Sequence, residues 1–110
     1  MLKSKKLSLL QNITHGYFNK NGGVSEGIYK SLNCGVGSND KKINIQKNHK
    51  IVISKISDSL KKIFFVKQFH SNKFVYIGYK SKIDRRRIKA DAIITDKKKL
   101  PIAILTADCV

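Results

Sequence analysis

The chain has 110 residues, 41% hydrophobic and 27% charged, a balance that suits a single globular domain and excludes a disordered tail. No apolar run reaches the roughly 18 residues a membrane-spanning helix needs, so no such span is expected. The formal net charge is +16, from 23 Lys and Arg against 7 acids, which would suit a polyanion partner.

The basic start, Met1 to Leu7, is followed by neither a long apolar segment nor a small-residue cleavage site, so it does not read as a secretory signal. The first third carries Gly16, Gly22, Gly23, Gly27, Gly35 and Gly37, six of the seven glycines. That density marks turns and close backbone approaches, not a long helix. After Asn39 and Asp40, a good N-capping pair, the spacing predicts a helix over about 41–57, with Ile43, Ile51 and Ile56 on one stripe. Strand-like segments follow at 63–68, 74–79, 91–95 and 102–106. The last, Ile102 to Thr106, is apolar on both faces and reads as a buried strand. One helix among short strands predicts an α+β fold in α/β-type layers, with residues 1–110 as one domain. The chain then stops one residue past Cys109, where a buried strand should be followed by a return path; this reads as an interrupted protein.

The cations are 20 Lys and 3 Arg, spread along the chain, with Ile and Asn also abundant. Such a composition follows from A/T-rich codons and reads as a solvated coat. The only dense patch is Lys80 to Lys89, with Arg85, Arg86 and Arg87. No aromatic residues interleave with the arginines as they do in RNA-binding modules, so a basic nucleic-acid-binding module is the lesser reading. Cys34 and Cys109 do not form a disulfide-scaffold pattern and suit a reducing cytoplasm.

Singly, each chemical candidate has a plain structural reading. His70 follows a strand, where loops build sites, but a lone histidine is commonly a surface residue. Cys109 closes the last strand and alone would be a small buried hydrophobe. Asp91 and Asp108 can cap turns or orient a histidine, capping being the simpler role. Ser31 and Asn33 offer polar side chains to a ligand from within the glycine-rich stretch. His15, Cys34 and His49 default to packing or exposed roles. The stretch Gly22-Gly23-Val24-Ser25-Glu26-Gly27 lacks the Lys-Ser/Thr ending of a phosphate loop, and no self-contained zinc motif occurs.

Taken in order, the segments are more specific. His15-Gly16-Tyr17-Phe18 is followed by Gly22 to Gly27 and by Ile28-Tyr29-Lys30-Ser31-Leu32-Asn33-Cys34-Gly35. Then come Asp40 with Asn48, Gln68-Phe69-His70-Ser71, Ala90 to Thr95, and Thr106-Ala107-Asp108-Cys109. This series resembles the YfiH, or laccase-domain, family, also described as peptidoglycan editing factors, multicopper polyphenol oxidoreductases and purine nucleoside phosphorylases. The resemblance covers all but the first dozen residues. It implies a central β-sandwich flanked by helices in a domain larger than this chain, of which residues 1–110 would be the N-terminal portion.

The resemblance also implies a zinc or copper centre with two histidines and a cysteine. His70 matches one histidine and Cys109 the cysteine, as metal ligands and catalytic residues; the second histidine has no counterpart here. By itself, the chain is therefore expected to be inactive. The implied activity is phosphorolysis of adenosine, inosine or methylthioadenosine, with adenosine deamination as an additional one. Copper-dependent phenol oxidation is the alternative within the family. Lys20 and His49 stand where the family has arginines, and neither reproduces a bidentate guanidinium contact.

Overall fold

The computed structural model describes residues 1–57, 62–82 and 88–106. The chain divides into two compact units, Met1–Leu60 and Lys61–Val110. Together they contain helices and a sheet, so the fold is mixed α and β. Among the described residues, no helix is long and apolar enough to cross a membrane.

The first unit opens with a short helix, α1 (Lys5–Ser8), that the glycine count did not suggest. Ser4 caps it, its hydroxyl accepting from the Leu7 amide, which satisfies one of the donors a helix start leaves free. The Ser4 amide donates to His15 Nε2 at 2.7 Å, so the His15 ring proton sits on Nδ1. Leu2 and Tyr17 form an antiparallel bridge beside it. The ring of Tyr17 meets that of His15 edge-on, with centroids 6.2 Å apart.

The predicted helix is α2, Lys42–Ile56, within a residue of the expected bounds. Two details differ. Its cap position is Lys41, with no side-chain cap, because Asp40 spends its carboxylate on the preceding loop. The buried face carries Ile45, Asn48 and Ile53, whereas Ile43 is 55% exposed. Positions 45, 48, 52 and 53 stand at i, i+3, i+7 and i+8, so they share a face that Ile43 does not. The helix ends at Ser57, whose extended backbone breaks the spiral while its amide still reaches the Ile53 carbonyl.

The second unit is built around Phe64, Val66, Ile77 and Ala90, with Val75, Ile88, Ile93 and Leu100 packed against them. Burying a side chain such as Phe64 is worth about 2–3 kcal/mol. β1 (Phe74–Ile77) and β2 (Ala92–Thr95) pair in parallel, Phe74 opposite Ala92 and Ile77 opposite Thr95. Both lie inside predicted strands. Their side chains alternate, with Phe74, Tyr76 and Ile94 outward and Val75, Ile77 and Ile93 toward the core, the period of two that a pleat imposes.

The segments 63–68 and 102–106 are not regular strands. They meet through one parallel bridge, Phe64 with Ile102, while Lys67 bridges in parallel to Lys89. Nor is 102–106 buried on both faces: Ile102 and Ile104 are 40% and 43% exposed. The ladder stops early because a side chain takes it over. The Gln68 amide donates to the Leu105 carbonyl and accepts from the Leu105 amide, both at 2.9 Å. Cys109, Asp108 and the Arg85–Arg87 patch lie outside the described residues.

Candidate functional site

His70 sits in the second unit, at a turn between residue 68 and β1. Its φ is +62°, a left-handed backbone that few non-glycine residues adopt. The turn is held by one carboxylate. Asp91, just before β2, accepts from the amides of Phe69 at 3.0 Å, His70 at 3.0 Å and Ser71 at 2.8 Å, and from the Ser71 hydroxyl at 2.6 Å. The Asp91 amide donates to the Lys73 carbonyl at 2.9 Å, which ties the carboxylate to the end of the same turn. The Ser71 hydroxyl, with the amides behind it, holds the Asp91 carboxyl below the usual carboxylate range. Asp91 therefore caps a turn, and that turn carries His70.

The turn leaves the His70 side chain exposed, and among the described residues its imidazole makes no hydrogen bond. An imidazole presented in this way suits a divalent transition metal as a nitrogen donor. Among the described residues no three His, Cys, Asp or Glu side chains converge, and Cys109 lies outside them.

Ser31 and Asn33 belong to the first unit, where the glycine-rich loop is braced from within. Asn48, fully buried on α2, accepts from the Val24 amide at 2.9 Å through Oδ1. Its Nδ2 donates to the Ser25 hydroxyl at 2.9 Å and to the Asn33 carbonyl at 2.7 Å. Ser25 passes its proton side on to Asp40 at 2.5 Å, and the Asn33 amide donates to the same carboxylate oxygen at 3.2 Å. These contacts, led by Ser25, hold the Asp40 carboxyl below its ordinary value.

Ser31 donates its hydroxyl to the Lys20 carbonyl at 3.0 Å and accepts from the Gly23 amide at 3.1 Å. Gly23 has to be glycine: a Cβ there would lie 2.3 Å from the Ser31 carbonyl oxygen. Lys20 thus holds the loop through its backbone carbonyl. His49 donates from Nε2 to the Cys34 carbonyl at 2.9 Å. Cys34 is a free, half-buried thiol whose pKa burial pushes up to about 11.

The structure thus places the polar groups of Ser31 and Asn33 in loop bracing and, among the described residues, leaves the His70 imidazole without a hydrogen bond. Sequence reasoning missed Ser25 as the hub joining Asn48 to Asp40; its signal was its place inside the glycine-rich motif. Two recesses among the described residues measure about 180 Å³, beside Phe64 and Ile77, and about 200 Å³, beside Lys3 and His15. Both fall below the roughly 300 Å³ at which small-molecule pockets begin.

The asparagine-braced glycine loop and the histidine turn held by an aspartate both lie in the part of the chain that a family model covers. The chain belongs to the multi-copper polyphenol oxidoreductase laccase family, whose model matches residues 14–110. It is 32% identical, over its whole length, to a purine nucleoside phosphorylase of Bacteroides thetaiotaomicron, covering 43% of that protein. It is 30% identical to purine nucleoside phosphorylase YlmD of Bacillus subtilis, over 91% of this chain and 38% of the relative. A purine nucleoside phosphorylase of Corynebacterium glutamicum is 33% identical over 81% of this chain and 36% of its own length. The chain spans about two fifths of the length of these curated relatives.

Proposed function

We propose that the protein acts as a cytoplasmic purine nucleoside phosphorylase. The similarity to three relatives of that name, at 30 to 33% identity, carries this reading. Its substrates are inorganic phosphate and adenosine, inosine or methylthioadenosine, with adenosine deamination as an additional activity. Phosphate oxygen attacks the ribose anomeric carbon, a C–O bond forms, and the glycosidic C–N bond breaks with the purine as leaving group.

In this reading the chain supplies the N-terminal part of a larger sandwich domain, and β1 and β2 contribute to its sheets. His70 and Cys109 hold a zinc or copper ion, which when bound supplies Lewis-acid polarisation in the site. His70 contributes a nitrogen donor from a braced turn. The Ser31 and Asn33 side chains keep the glycine-rich loop in one shape, so that its surface presents fixed polar groups to the nucleoside.

The description of the matching family favours a second reading, copper-dependent phenol oxidation. The shell of one cysteine and two histidines that the resemblance implies is sparse for the several copper ions that reduction of dioxygen requires, which ranks it second.

The test is phosphate-dependent release of hypoxanthine from inosine by protein expressed from the complete reading frame. His70→Ala and Cys109→Ala are each expected to abolish it. Absence of phosphate-dependent cleavage of all three nucleosides would overturn the reading, and phenol oxidation in its place would establish the second.

A further inference from the structure

We propose that Asp91 is the positioning residue of the site, setting the direction of the His70 imidazole through the backbone of the turn that carries it. The inference rests on the reading of His70 as a metal ligand. Its own support is geometric. An ionised carboxylate offers about four lone-pair sites, and four donors from three consecutive residues occupy Asp91. The middle residue is His70, whose φ of +62° is a left-handed conformation that costs a non-glycine residue free energy.

The imidazole itself has no hydrogen bond among the described residues, so nothing else in that set fixes its direction. The restraint comes from the peptide on which the ring is mounted. Metal-binding histidines are more commonly oriented by a partner on the second ring nitrogen. Here neither ring nitrogen is engaged among the described residues, and the aspartate acts through the backbone.

Asparagine at position 91 would keep the size but lose the chemistry. Its single carbonyl oxygen cannot accept from all four donors, and its NH₂ group would face N–H groups of the turn. The turn would relax out of the left-handed conformation, and the ring would lose its fixed position.

The experiment is a double-mutant cycle on zinc affinity, read by competition with a chromophoric chelator, on protein expressed from the complete reading frame. His70→Ala is expected to weaken zinc binding most. Asp91→Asn is expected to weaken it about 10-fold, the scale on which groups that orient ligands act, and to have no further effect when His70 is already alanine. A loss from Asp91→Asn that persists in the His70→Ala background would show a general structural role and overturn the proposal. So would unchanged affinity in Asp91→Asn alongside a clear loss in His70→Ala. If His70→Ala leaves zinc affinity intact, the ligand reading fails first, and the positioning role falls with it. Should Asp91→Asn not fold, Ser71→Ala removes one of the four donors; it is expected to give a smaller loss that again requires His70, and no loss would overturn the proposal.

Discussion

The Asn48 side-chain amide donates to the Ser25 hydroxyl at 2.9 Å, and both residues are buried. This bond fastens α2 to the glycine-rich loop across 23 residues of sequence, and each end has a further partner. Val24, Asn33 and Asp40 are the groups so satisfied. Asn48→Ala would strand the Val24 amide, the Asn33 carbonyl and one side of Ser25 in a buried setting. A loss of about 2–4 kcal/mol is expected in chemical denaturation, the scale of several unsatisfied buried polar groups. Asn48→Asp should cost more, since it turns two donations into repulsions and buries a charge. A change below about 0.5 kcal/mol, the usual size for surface positions, would show that the loop stands without α2.

Acid should act through two carboxylates. Asp40 and Asp91 are both held below the ordinary value of 3.8 by hydrogen bonds, chiefly from Ser25 and Ser71 respectively. Above that value both are ionised in the folded and the unfolded chain, and their contribution to stability is complete. As pH falls through it, the unfolded chain takes up protons first, so stability drops until the folded carboxyls also titrate. Thermal melts between pH 6 and 2.5 should show this fall, and Asp40→Asn should flatten it. A melting temperature independent of pH across that window would contradict the two networks.

The Cys34 thiol, pushed up to about 11 by burial, should remain protonated at pH 8 and react slowly, because the thiolate is the nucleophile. Iodoacetamide labelling, followed by mass spectrometry of the Cys34 peptide, should be much slower in native than in denatured protein. Equal rates would mean that the thiol is open to solvent. On the alkaline side the sign reverses relative to the carboxylates. The unfolded thiol ionises near 9.0 and the folded one near 11, so stability falls as pH rises through that interval.

Two neighbouring glycines should respond differently to alanine. At Gly22 the obstacle is conformational: φ is +97°, and a Cβ would meet nothing within 4 Å. At Gly23 it is contact: the Cβ would lie 2.3 Å from the Ser31 oxygen and 2.5 Å from Leu32 Cα, both backbone atoms. Gly22→Ala should cost about 1–3 kcal/mol, the price of one strained backbone position. Gly23→Ala should cost more, because it pushes apart the strands of the loop that Ser31 ties to Lys20. Comparison of the two melting temperatures checks the order, and equal losses would contradict the close approach.

Local chemistry in the sequence determined a helix after Asp40, short strands near 74–77 and 92–95, a turn-rich first third, and an aspartate suited to capping at position 91. Each depends on neighbours a few residues away, where hydrophobic period, glycine density and side-chain hydrogen bonding act directly. Which face of α2 is buried was decided only in three dimensions, because Ile43 and Ile45 are equally apolar and the loop supplied partners to the side bearing Asn48. The same holds for Asp40, which looked like a helix cap but is drawn to Ser25 and Asn33, and for 102–106, where Gln68 replaces the backbone ladder. Asp91 could be read as a cap from sequence, yet the turn it caps begins 22 residues earlier. Only the parallel pairing of β1 with β2 brings that carboxylate to the amides around His70, since a contact at such separation depends on where the strands meet.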